Sequence, residues 1–227
     1  MNLPGCTLTR RSFLFAAGTS AAGLLAPSVL DAQAAPAAKP APNPPTDINI
    51  LGPKPGYSSQ IGTLVSMLTW MRRAPLSEAH GLTQAQLDYL FDANANTIGG
   101  LLLHLAATET LYQRLTFDNV SLDKLREDKD YEKRWGAAME LGDDGRKTIK
   151  GHDLAFYTAA LQEVREKSLA EFKKRDDAWL LAVDKDWGWG PTNNYCKWFH
   201  VCEHESHHSG QIALIAKRVP GAKPEPA

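Results

Sequence analysis

Cysteine is scarce in this sequence, with three in 227 residues. Cys6 lies in a leader expected to be removed, and neither Cys196 nor Cys202 belongs to a CxxC pair. The latter two fall in one predicted helix, about 9 Å apart along its axis and on different faces. That excludes a disulfide between them and leaves both as small buried apolar groups. An excess of charge of one sign is also missing. Lys and Arg total 25 against 26 Asp and Glu, for a net charge of −1. The charges are dispersed without a basic stripe, which excludes nucleic acid as a partner. No long apolar run occurs after residue 50, so no stable membrane span is expected once the leader is cleaved. No segment sustains period-two alternation, which argues against a sheet, and no internal repeat is present.

What is there begins with the leader. Arg10 and Arg11 precede Ser12-Phe13-Leu14, an Ala/Gly/Leu-rich run follows, and Ala32-Gln33-Ala34 supplies a small-x-small cleavage site. This order predicts a twin-arginine-type signal peptide over residues 1–34 and export, to the periplasm or beyond. Residues 35–56 are an Ala/Pro-rich linker, whose prolines favour extended, unpacked chain. Residues 57–220 are expected to form one domain, followed by a disordered tail over 221–227.

Within the domain, apolar residues recur at three and four. Ile61, Leu64, Leu68 and Met71 mark a first helix over about 58–74, ended by Pro75. Thr83 to Gln86 forms a capping box for a short helix through Leu90. A second long helix spans about 96–115, with Leu101, His104, Thr108 and Leu111 on one face. Gly99-Gly100 inside it marks a close helix–helix approach, because glycine is otherwise unfavourable there. Residues 117–147 are polar and predict a long crossover with partial helix. A third long helix covers about 148–176, DWGWGPTNN is a loop, and a fourth runs from about Asn193 to Arg218. The fold class is therefore all-α: a four-helix bundle with one long crossover connection.

The last helix carries HVCEHESHHSGQI over residues 200–212, with four of the chain's seven histidines. His204 and His208 stand one turn apart on the face that continues through Val201, Ile212 and Ile215. They point toward the bundle axis and can bind one metal ion together. A third ligand is needed from another helix, and His104 on the apolar stripe of the second is the candidate. Inward imidazoles on two helices need a shared partner, which a divalent cation supplies. Glu203 and Glu205 point elsewhere, and Glu109 is expected to be structural or exposed. His204-Glu205-Ser206-His207-His208 also fits the HExxH pattern of helical zinc proteases. No third ligand follows Gly210 and no strand is available to bind a peptide, so that reading is set aside. Trp187 and Trp189 precede the last helix and would either wall the mouth of a pocket or pack the bundle end.

The stretches FHVCEHESHHSGQIALI and NTIGGLLLHLAATE resemble the last- and second-helix motifs of the DinB-like (YfiT-like) superfamily, and LQEVREKSLAEF is similar to its third helix. The resemblance covers most of residues 57–220. It implies a four-helix bundle with a divalent metal on His104, His204 and His208. It places His200 and His207 behind the ligands or in the pocket wall, and matches Gln211 to the family glutamine. Ser209 departs from the pattern, standing where many relatives carry arginine. Zinc or nickel is the expected ion, with iron, cobalt and copper also compatible with three imidazoles. Relatives that use low-molecular-weight thiols imply a metal-dependent enzyme activating a thiol or water for transfer to a small substrate. The alternatives are a non-catalytic exported metal- or ligand-binding protein and a metal-dependent hydrolase. No side chain is singled out as catalytic, and related bundles leave a homodimer open.

Overall fold

The computed structural model describes residues 47–222. The expected signal peptide, the linker through residue 46 and the tail beyond 222 lie outside the described residues. Four long helical segments dominate, as the periodicity requires. The first is α1 (Ser59–Met71), which passes through Arg72 into α2 (Arg73–Ala79). The others are α4 (Ile98–Thr116), α8 (Leu154–Phe172) and α10 (Asn194–Ala216), and α3 (Gln84–Leu87) is the short helix opened by its capping box. The all-α bundle is thus the fold. Thr97, Asp153 and Asn193 cap α4, α8 and α10, each side chain accepting from a backbone N–H three residues on.

The first helix differs from expectation. Pro75 does not end it but sits in the first turn of α2, where its missing N–H has no intrahelical partner to lose. Arg72 keeps right-handed helical torsions between the two segments, so the chain continues and α2 packs along α10. Chain expected to be unpacked linker also lies against α1. Gly52 N–H donates to Ser66 Oγ at 3.1 Å, and the Lys54 backbone occupies the space a Cβ on Gly62 would need.

The crossover is more ordered than its polarity suggests. It folds into α5 (Leu122–Glu127), α6 (Lys129–Glu140) and α7 (Gly142–Thr148), and α6 buries Trp135 and Ala138 as it packs on α4. At Gly99, α4 lies directly against the Tyr157 ring of α8. A Cβ there would lie 2.5 Å from the Tyr157 hydroxyl, which accounts for glycine in the first turn of α4. After α9 (Asp177–Leu181), strands β1 (Val183–Asp184) and β2 (Thr192–Asn193) pair antiparallel and hold the Trp187–Trp189 loop. Among the described residues no helix is long and apolar enough to cross a membrane.

Two apolar clusters fill the bundle. One holds Leu101, Leu105, Leu161, Val164 and Ile212; the other holds Leu64, Leu68, Tyr112, Phe172, Trp198 and Val201. At the seam between them lies a charged quartet. Glu109 of α4 is fully buried and accepts from Arg72 Nη2 at 2.7 Å and from Arg165 Nε at 2.8 Å. Glu205 Oε1 of α10 accepts from the same two guanidiniums, both at 2.7 Å. Burial pushes the Glu109 carboxyl up, but the Arg165 and Arg72 charges and their hydrogen bonds outweigh it and hold it at about 2. Of the two readings expected for Glu109 the structural one holds, and Glu205 points away from the histidine group as expected; what the sequence reading did not foresee is that both are buried ion-pair partners of the same two arginines. Their signal was in the sequence, since Glu109 continues the Leu102–Leu105 stripe and Glu205 the Trp198–Val201 stripe. A carboxylate on such a stripe needs a buried cation.

Candidate metal centre

α4 and α10 pack face to face and bring His104, His204 and His208 together. One ligand nitrogen from each lies within 4.8 Å of the others. The rings form a near-equilateral group, with centroids 5.3 Å apart for His104 and His204, 4.8 Å for His104 and His208, and 5.0 Å for His204 and His208. His104 and His208 are buried, and His204 is partly open.

Hydrogen bonds set the tautomers. His104 Nδ1 lies 2.7 Å from the carbonyl oxygen of Ala138, which can only accept, so Nδ1 carries the proton and Nε2 keeps its lone pair. His208 Nδ1 donates to Gln211 Oε1 at 2.8 Å, with the same result. The Gln211 amide is oriented by its other end, whose Nε2 donates toward His207 Nε2 at 3.4 Å. His204 makes no hydrogen bond, and its Nδ1 is shut off from solvent without a partner. Burial lowers the His104 imidazole to about 4 against the pull of the Ala138 carbonyl. Burial and the neighbouring imidazoles lower His204 to about 3. His208 is lowered by burial as well. Three neutral rings, two with Nε2 fixed as a lone pair and a third with neither nitrogen in a hydrogen bond, are what a divalent ion needs from imidazole donors. The residues present fit such an ion.

Residues 63–221 match the family model described as Mycothiol-S-transferase. The chain belongs to the mycothiol-S-transferase family. This agrees with the resemblance to the DinB-like superfamily drawn from the helix motifs. A solved structure titled "Crystal structure of the conserved protein of locus from Enterococcus faecalis" shares 14% identity, covering 70% of this chain and 95% of its own, with a TM-score of 0.54. At that identity the likeness shows the fold. No curated protein matches the chain.

The other predicted residues of this mycothiol-S-transferase family member divide into two groups. Gln211 and His207 stand behind His208 as described. His200 sits one turn before His204, ring centroids 4.5 Å apart, with Nδ1 2.7 Å from the Tyr112 hydroxyl. Trp189 packs edge-on to His200 at 5.0 Å, while Trp187 lies under the Lys197 ammonium. Both tryptophans line a cavity of about 530 Å³ with Leu115, Val120 and Asp184, but no histidine lines it. They therefore wall a cavity beside the histidine row rather than the mouth of the triad itself. Glu205, the base an HExxH protease would need, is locked in the arginine quartet. Of the cysteines, Cys202 is buried as expected, but Cys196 is exposed on the outer face of α10, and both are free. The Ala138 carbonyl went unforeseen, because a backbone acceptor leaves no mark in a sequence.

Proposed function

We propose that His104, His204 and His208 hold one divalent ion, zinc or nickel ahead of iron, cobalt or copper, and that the protein transfers a low-molecular-weight thiol to a small electrophile. The observation carrying this reading is the convergence of three neutral imidazoles, two with Nδ1 already committed to Ala138 and Gln211. The family match supports a thiol of the mycothiol type as nucleophile and gives no support to the hydrolase alternative. When bound, such an ion lowers the pKa of a coordinated thiol so that thiolate prevails near neutral pH.

The chain's own residues do the positioning. Ala138 and Gln211 fix two ring planes, and burial keeps His104 and His208 dry. His204 is the more open ring, its side chain 23% exposed, so substrate approaches from its side of α10. Transfer forms a carbon–sulfur bond from the thiolate, the leaving group departs with its bonding pair, and the thiol proton passes to solvent.

Export remains part of the proposal. It rests on Arg10-Arg11 and the cleavage site, which precede the described residues, and fractionation of cells carrying Arg10→Lys with Arg11→Lys tests it. For the site, elemental analysis of purified protein is followed by thiol transfer to a chloro- or epoxide-type electrophile. Bound metal with thiol-dependent turnover that His208→Ala abolishes supports the reading. Metal without turnover points to a non-catalytic binding protein, and turnover that needs no thiol points to hydrolysis.

A further inference from the structure

We infer that the chain carries a second divalent-cation site, formed by His200, Glu203 and His204 on α10 and joined to the three-histidine group through His204. It relies on the proposed metal reading of that group only for the sharing of His204. Spacing at i, i+3 and i+4 places the three side chains on one helix face, and their ligand atoms lie within 4.8 Å of one another.

The carboxylate is placed between two nitrogens without bonding to either. Glu203 Oε2 lies 3.8 Å from His200 Nε2 and 3.8 Å from His204 Nδ1. Both distances are too long for hydrogen bonds and leave room between the three atoms. His200 is held by its inner nitrogen, Nδ1 lying 2.7 Å from the Tyr112 hydroxyl, a group that can donate or accept. In the tautomer with Nδ1–H donating to that oxygen, Nε2 carries a lone pair on the Glu203 side. Burial raises the Tyr112 pKa, which keeps its hydroxyl a neutral partner.

His204 belongs to both groups. Of the four histidines His104, His200, His204 and His208, it is the one with neither ring nitrogen in a hydrogen bond. One nitrogen can serve the buried triad while the other faces Glu203. Double occupancy uses both, and the ring's single N–H proton passes to solvent. Two imidazoles and one carboxylate leave open positions and suit zinc, cobalt or iron(II). Glu203 is 49% exposed, so the outer ion binds more weakly and exchanges faster than the inner one.

Equilibrium dialysis of the full chain against zinc alone, with elemental analysis, tests this. Wild type is expected to saturate at about two ions per chain, in one tight and one weak step. Glu203→Gln, at an exposed position that leaves the fold intact, is expected to drop to about one while keeping the tight step, and so is His200→Ala. Cobalt(II) spectra provide a second readout, in which Glu203→Gln removes one of two absorption components. A wild type that saturates at one ion, or a Glu203→Gln chain that still takes two, overturns the site. His104→Ala separates the two readings. An ion retained there and lost on adding Glu203→Gln upholds the outer site even if the three-histidine reading fails. A single ion lost in His104→Ala and unmoved by Glu203→Gln removes the outer site alone.

Discussion

His104 Nδ1 lies 2.7 Å from the backbone carbonyl of Ala138, joining α4 to a helix of the crossover 34 residues later. This bond fixes which nitrogen of His104 faces His204 and His208. It also makes α6, a connection by its polarity, part of the site's frame. The same logic operates at His208 through Gln211. Ligand and support are separate contributions, and they predict different sizes of effect.

His104→Ala, His204→Ala and His208→Ala are each expected to weaken tight metal binding by more than the ~10–100-fold that loss of an outer partner causes. His200→Ala is expected to keep the tight ion. Competition titration with a chromophoric chelator measures this, and equal losses across all four variants would show the ligands to be wrongly assigned.

Gln211→Leu removes the acceptor for His208 Nδ1–H and frees the ring to turn. Metal affinity is expected to fall by ~10–100-fold with little change in stability, since Gln211 is exposed. Gln211→Glu, which retains the acceptor, should restore most of it. An affinity unchanged in Gln211→Leu would remove the orienting role.

The Arg72–Glu109–Arg165–Glu205 quartet ties together the α1–α2 junction, α4, α8 and α10. Deleting one member strands buried charge, so Glu109→Ala is expected to destabilise by about 3–5 kcal/mol in urea unfolding. Arg165→Ala should act similarly. A loss under about 1 kcal/mol would mean that water reaches the seam.

Acid should unfold the protein through the same quartet. Glu109 titrates at about 2 when folded, against an ordinary value of 4.5. Between these values the unfolded chain binds the proton and the folded one does not, so this stabilisation is complete above pH 4.5 and is lost as pH falls toward 2. Thermal midpoints measured across that window should fall less steeply in Glu109→Gln, which has no proton to take up there. Identical slopes in the two chains would argue against the ion pairs.

Much of the secondary structure could be read locally. Thr97, Asn193 and the capping box at Thr83 mark helix starts because a cap acts within three residues. The three-and-four spacing of Leu101, His104 and Leu111, or of His204, His208 and Ile212, fixes which side chains share a face. Pro75 misled, because proline in a first turn and proline after a last turn look alike until the chain direction is known.

The sequence by itself determined an all-α chain with paired inward histidines on its last long helix and one on its second, since helical periodicity is a property of neighbours along the chain. Only the tertiary structure decided what those side chains meet. The rotation of each helix about its axis set Glu109 and Glu205 against Arg72 and Arg165, His200 against Tyr112, and the Ala138 carbonyl against His104. Such pairings join residues tens of positions apart, and one partner can be a backbone atom present at every position. They exist only once the helices have packed.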